Sequence, residues 1–360
     1  MKRILVTGAG GPAGVNFIRS LREAGEAFHI VGTDTSRLHL EWPDVDAAYE
    51  APRCDDPRYL DFINALIERE GIEMVHPQPD VEVRFFSEHR DRVAARVALP
   101  DAETIRILQD KHRSAELWER AGVARTPALL IRSREDLERA AERLGLPFWL
   151  RATEGAGGTG STPVEDVDAA WHWIQYWRLR GRDWAFVAQE LLPGDNLAWT
   201  SLWQDGRLIC SQVRERLEYV YPYLAPSGVT GTPVAAVTRR RPDVDELAVR
   251  AVLAIDPRAT GVFCVDLKGD RDGVPRPTEI NCGRFFTTSY FFTAAGINIP
   301  HLYVRLAFGE QLPPLPAFGA LPEGLYWLRH MDCPAVLRTE AELRAAPLRE
   351  EEPAAPRLAA

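Results

Sequence analysis

The chain has 360 residues, 46% of them apolar and 26% charged, with a formal net charge of -9. That length calls for two or three packed units, and the acidic balance argues against a nucleic-acid partner, whose phosphates need a basic face. No apolar run approaches the ~20 residues of a membrane span, and five cysteines scattered singly, without a C-x-x-C pair, point to a reducing cytoplasm and away from structural zinc.

The N-terminus enters a strand directly, with no apolar leader. Ile4-Leu5-Val6 reads as a buried strand, followed at once by Gly8-Ala9-Gly10-Gly11-Pro12-Ala13-Gly14 and by a run of helical apolar spacing over residues 15–22. Ile30 to Asp34 reads as a second strand, and its terminal acid completes the outline of a dinucleotide fingerprint. A helix over residues 59–67 and a strand, Met74-Val75-His76-Pro77, come next, with Gln78-Pro79-Asp80-Val81-Glu82 as the polar exit loop. Ligands of open α/β sheets lie outside such strand ends. His76, Asp80 and Glu82 are therefore candidate substrate contacts, a solvated loop being the plainer alternative.

Residues 101–121 carry one helical period and include Lys111; a turn then leads to the strand Ala128-Leu129-Leu130-Ile131. Ser133, with Glu135 and Asp136 behind it, caps a helix to residue 144. The strand Pro147-Phe148-Trp149-Leu150-Arg151 ends on a charge and runs into Glu154-Gly155-Ala156-Gly157-Gly158-Thr159-Gly160. Four glycines so close together let backbone fold tightly over a ligand. With no G-K-[ST] the P-loop is excluded; a flap over phosphates is expected, with Arg151 where an anion would lie, and a plain linker is the alternative. Trp171, Trp173, Tyr176 and Trp177, in a helix over 168–179, are expected to pack against that flap.

A buried strand over 185–192 leads through Pro193-Gly194 to Asp195-Asn196, a geometry in which strand backbone meets a base edge and the next polar side chains meet a ribose. A hairpin around Gln204-Asp205-Gly206-Arg207 ends in Arg214-Glu215-Arg216, candidates for phosphate or a substrate carboxylate. A small-residue loop over 226–232 precedes a helix over 244–255. Val262 to Lys268 and Pro277 to Asn281 then form a hairpin around Gly269-Asp270-Arg271-Asp272-Gly273. Period-two alternation puts Glu279 and Asn281 on one face, and pairing with the Asp266 strand brings three oxygen-bearing side chains together. Such hard donors suit Mg²⁺ or Mn²⁺ completed by nucleotide phosphates; an ordinary solvent-facing hairpin is the alternative. Beyond residue 312 the chain is rich in proline, alanine and glutamate; Leu325-Tyr326-Trp327-Leu328 is a possible strand, and residues 345–360 read as disordered.

Taken in this order, the features resemble the ATP-grasp superfamily, in particular modules like those of the carbamoyl phosphate synthetase large subunit, over roughly residues 1–310. The resemblance implies a mixed α/β and α+β fold. Its parts are a Rossmann-like pre-ATP-grasp domain (1–100), a small lid domain with the glycine flap (101–188), a larger domain with an antiparallel sheet and metal site (189–330), and a partly disordered tail (331–360). It further implies that Lys111 and Arg151 bind phosphates, and that Gly155, Gly157, Gly158 and Gly160 close over them. Gln189 and Glu190 would bracket the adenine amino group, with the Leu192 backbone on the ring. Asn196 stands where the family has its ribose-binding acid, and Asp195 is a possible substitute. Asp266 (more often glutamate), Glu279 and Asn281 fall on the metal ligands, and Arg284 on the arginine that steadies the transferring phosphoryl group. The implied activity is an ATP- and Mg²⁺-dependent ligase joining a small carboxylate to an amine, in the cytoplasm, with a homodimer as the default assembly. Two alternatives stay open: a nicotinamide-dependent oxidoreductase built on the N-terminal turn and Asp34, and a non-catalytic nucleotide-binding subunit or sensor.

Overall fold

The computed structural model describes residues 1–123, 128–154, 158–225, 228–331 and 333–345. Strands β1 (Lys2–Thr7), β2 (Phe28–Asp34), β3 (Ala47–Glu50), β4 (Met74–Pro77) and β5 (Arg96–Val97) pair in parallel, in the order β3-β2-β1-β4-β5. Helices cover both faces, which is why β1 reads as an unbroken apolar run. Leu5, Val31 and Val75 pack with Ile63 of α2 (Tyr59–Glu70) and Phe86 of α3 (Asp80–Glu88). Ile4, Val6, Ile30 and Met74 pack with Phe17 and Ile18 of α1 (Pro12–Arg22).

The segment expected as a polar exit loop is the start of α3. Pro79 holds an extended conformation (φ -68°, ψ 138°) just before the helix, and Asp80 and Glu82 lie in its first turn, where acids favour the helix dipole. The polar pattern was a helix start. Glu82 is buried with its Oε2 unpartnered among the described residues, and His76 is fully buried, stacked on Phe17. The Gly8–Gly14 turn is tightly filled by its own chain. Gly8 has φ +60°, and a Cβ there would lie 2.5 Å from Pro79 Cγ; a Cβ on Gly10 would lie 2.3 Å from the His39 carbonyl oxygen.

Residues 101–121 form two helices, α4 (Ala102–Gln109) and α5 (Lys111–Arg120), where one was expected. Asp110 breaks them: its carboxylate accepts from the N–H groups of His112 (3.0 Å) and Arg113 (3.1 Å), an N-cap that starts a new helix at Lys111. A four-stranded antiparallel sheet follows, β6 (Ala128–Ile131), β7 (Phe148–Ala152), β8 (Thr162–Val164) and β9 (Phe186–Glu190), in the order β6-β9-β7-β8. Helix α6 (Arg134–Leu144), opened by the expected Ser133 cap, which forms a capping box with Asp136, and α7 (Val167–Leu179) pack on it through Leu137, Ala140 and Ile174.

The third sheet has seven antiparallel strands: β10 (Asn196–Gln204), β11 (Arg207–Tyr219), β12 (Pro233–Arg239), β13 (Gly261–Gly269), β14 (Pro275–Cys282), β15 (Leu325–His330) and β16 (Cys333–Thr339). Their order is β14-β13-β10-β11-β12-β15-β16. Strand β12 went unread in the sequence, and β16 with α11 (Glu340–Ala345) occupies part of the segment expected as a tail; β16 pairs with β15, so this stretch completes a sheet edge. Helix α8 (Pro242–Leu253) starts on a proline at its first turn and covers one face, where the Trp199 indole donates to Asp245 Oδ1 at 2.7 Å. Helices α9 (Tyr290–Ala294) and α10 (Ile299–Ala307) join this sheet to α1 through Phe291, Phe292 and Val304. Among the described residues no helix is long and apolar enough to cross a membrane. Residues 346–360, expected to be disordered, lie outside the described residues.

Burial pushes the Glu82 carboxyl up to about 6, and nearby Asp34 adds to the rise. The folded state therefore holds a proton that the unfolded chain, titrating near its ordinary value, releases earlier. Stability falls as pH rises through that interval, by ~2 kcal/mol in full. Glu82→Gln removes this dependence. Its melting temperature relative to the parent is expected to climb between pH 4.5 and 7 in paired thermal scans; a constant difference refutes the assignment.

Candidate active site

The β13–β14 hairpin sets the geometry. Asp270 holds its turn, accepting from the N–H groups of Asp272 (3.0 Å) and Val274 (2.9 Å) and pairing with Arg276 at 2.8 Å. In the resulting register Asp266 lies opposite Glu279 and Cys264 opposite Asn281, with a bulge after Asp266. Asp266 and Glu279 thus face each other across the hairpin, with Asn281 two residues from Glu279 on β14.

Two other units reach this corner. Arg151, near the end of β7 and 8% exposed, donates from Nη2 to Glu279 Oε2 at 2.6 Å. Lys111, the first residue of α5, brings its ammonium within 3.6 Å of the same oxygen. Its backbone N–H bonds the Thr153 carbonyl just beyond β7. Asp266 is held by Arg216 of β11, Nη2 to Oδ1 at 2.6 Å. Arg284 pairs with Asp80 through two contacts and donates to Asn281 Oδ1 at 2.8 Å.

Burial opposes charge on Glu279, but Lys111 and Arg151 outweigh it and hold the carboxyl at about 2. Asp266 moves the other way: burial raises it, Arg216 opposes the rise, and Glu279 adds to it. Burial lowers the Lys111 pKa, against the pull of Glu279. Arg214, the other arginine singled out on β11, lies deeper; it donates to Thr288 Oγ1 at 2.6 Å and stacks over Phe286.

Lys111, Arg151, Arg216, Asp266 and Glu279 line a cavity of about 360 Å³, a size usual for small-molecule sites. Lys111, Arg151, Asp266 and Glu279 form its charged end; Trp149, Leu191, Leu192 and Leu267 supply apolar wall. Gln189, Glu190 and Asn196 line it as well, whereas Asp195 turns outward toward Arg241, with its side chain 57% exposed. Gly158 reaches the rim, and Gly160 (φ +77°) sits where a Cβ would meet Ala152 and Trp184. Trp173 donates to the Gly160 carbonyl, so part of the aromatic cluster does back the glycine segment. Gly155 and Gly157 lie outside the described residues.

A second cavity of about 170 Å³, lined by Asp80, Arg84, Gln109 and Asn281, shares Lys111, Glu154 and Glu279 with the first. Asp80 thus reaches a cavity, whereas His76 and Glu82 are core residues. Sequence reasoning missed Lys268, which lines the main cavity and donates to the Leu192 carbonyl at 2.9 Å. The signal was present: two residues past Asp266 on one strand means the same face.

The donor set tolerates a hard cation. Two adjacent carboxylates and an amide oxygen leave room for ligands from a phosphate or water, and among the described residues no cluster of three or more His, Cys, Asp or Glu side chains offers a protein-only metal site.

Residues 4–98 match the profile of the PylC-like N-terminal domain. The chain is 29% identical to a chloroplastic biotin carboxylase of Populus trichocarpa over 46% of its own length and 33% of that protein's. It is 21% identical to the carbamoyl phosphate synthase large chain of Clostridium beijerinckii over 87% of its length and 30% of that protein's. The biotin carboxylase domain dimer of Hydrogenobacter thermophilus 2-oxoglutarate carboxylase, solved with MgADP, ADP and bicarbonate, superposes with a TM-score of 0.70 at 19% identity, over 91% of this chain and 73% of that one. The chain has the ATP-grasp fold. It spans about a third of the length of the curated relatives it first matches.

Within this fold the nicotinamide alternative loses its site. Asp34, the acid that would meet a ribose, accepts instead from Gly10 N–H (3.3 Å) and Ser36 N–H (3.1 Å) and contacts His39 Nδ1 at 3.2 Å. Pro79 lies against Gly8, leaving no room for a side chain at the turn.

Replacing Arg216 by alanine leaves the part-buried Asp266 carboxylate without its ion-pair partner, and the expected loss of stability is about 3 kcal/mol at neutral pH. Urea unfolding checks it; a loss under about 1 kcal/mol means the pair behaves as a surface bridge.

Proposed function

We propose that this chain is an ATP-dependent ligase that phosphorylates a small carboxylate and joins the acyl-phosphate to an amine, releasing ADP and phosphate. The observation carrying this reading is the convergence of Lys111, Arg151, Asp266 and Glu279 at one end of a cavity whose far wall is apolar. A nucleotide has that same polarity along its length. Its base would lie against Trp149 and Leu192, and its triphosphate would point to the charged corner.

Phosphoryl transfer needs alignment and charge neutralisation more than covalent help from the protein. Lys111 and Arg151, both now on Glu279, are placed to donate to phosphate oxygens. Asp266, Glu279 and Asn281 would hold Mg²⁺, which when bound neutralises charge on the bridging phosphates. Glu279 is suited to that role because its neighbours keep it anionic at any physiological pH. The second cavity opens onto the same three shared side chains, so a carboxylate entering past Asp80 and Arg84 would meet the terminal phosphate there. Burial of the corner limits the water that would hydrolyse an acyl-phosphate. The same reading includes a cytoplasmic location and a homodimer, the assembly named for the Hydrogenobacter domain; sedimentation at micromolar protein tests the latter.

Coupled ADP-release assays across bicarbonate, simple monocarboxylates and amino acids, each with and without amines, test the activity. ADP formation stimulated by a carboxylate is expected, and a flat response across the whole panel refutes the ligase. Glu279→Ala should lower turnover by at least ~100-fold with the fold intact; near-normal ADP release removes Glu279 from the chemistry. Arg151→Ala should weaken ATP binding by about 10-fold or more, the worth of a charge-assisted hydrogen bond, in calorimetric titration.

A further inference from the structure

Two of the chain's three lysines, Lys111 and Lys268, line the main cavity. Lys111 belongs to its charged end. Lys268 does not: it lies two residues from Asp266 on β13, a step of roughly 6–7 Å along a strand, and its ammonium donates to the carbonyl of Leu192 on the apolar wall. It therefore stands between the corner fitted to phosphates and the wall fitted to a base. The sugar is the part of a nucleotide that occupies that interval.

Its surroundings offer donors. Asn196 is the direct cross-strand partner of Lys268 in the β10–β13 pairing, and its Oδ1 already accepts from Arg216 Nη1 at 3.3 Å. Asp195, next to Asn196 in sequence, faces Arg241. Among the described residues no carboxylate pairs with Lys268, and burial is what acts on its ammonium, lowering its pKa. A partly buried cation satisfied by a single carbonyl retains two N–H donors for a ligand.

We propose that Lys268 reads the sugar of the bound nucleotide, donating to its hydroxyl oxygens. This rests on the nucleotide reading above and adds its specificity element. A hydrogen bond to a charged donor contributes about 1.5–3 kcal/mol, so each hydroxyl that Lys268 holds is worth roughly 10–100-fold in affinity.

The test compares ATP, 2′-deoxy-ATP and 3′-deoxy-ATP by calorimetric titration of the full chain with Mg²⁺ present. The parent should bind at least one deoxy nucleotide about 10-fold or more weakly than ATP. Lys268→Met should bring all three within about 3-fold of one another, and Lys268→Arg should keep the penalty. Melting temperatures without nucleotide establish that each variant folds. A penalty unchanged in Lys268→Met, or no penalty in the parent, overturns the inference while leaving the nucleotide site standing. Failure of the parent to bind ATP at all overturns the nucleotide reading and this inference with it.

Discussion

The ion pairs that converge on Glu279 are the constraint on which the rest depends. Arg151 and Lys111 both address one oxygen of that carboxylate, at 2.6 and 3.6 Å. They come from a small antiparallel sheet and from the helix preceding it, and Glu279 comes from the edge strand of a different sheet. Burying a carboxylate without partners is costly; burying it against two cations keeps it charged and ties two sheets together at the point where the cavity lies. The three side chains that tie the sheets together also line the cavity.

The first unit contributes by being closed where its topology would ordinarily be open. A parallel sheet with a glycine turn after its first strand usually leaves a crevice for phosphates. Here Pro79 and the His39 backbone occupy the space above Gly8 and Gly10, and Asp34 is spent on the turn itself. What remains available is the start of α3, where Asp80 fixes Arg284 and Arg284 in turn fixes Asn281. The N-terminal unit thereby sets one wall of the second cavity.

Much of this was legible because it rests on short-range rules. Period-two alternation put Glu279 and Asn281 on one face, the Asp270 turn fixed their register with Asp266, and the ordered series of motifs pointed to the fold. The misses share a cause. Residues 101–121 keep a continuous helical period, so the break had to be inferred from Asp110, whose cap forms only once the chain has turned. Asp80 and Glu82 look polar in sequence, yet the helix rotates Glu82 into the core. Strand β12 reads as a run of small residues until β11 and β15 pair with it. Contacts between distant segments, such as Arg216 on Asp266 or Lys268 on Leu192, carry no local signal of partner, though strand period does give their face.

One small hydrogen bond has a mechanical corollary. The Lys111 amide is fastened to the Thr153 carbonyl two residues beyond Arg151, so the root of α5 and the exit of β7 travel as one piece. Any swing of that piece away from the hairpin stretches both ion pairs on Glu279 together, with neither able to let go first. The two cations of Glu279 are thus carried by segments joined at their roots.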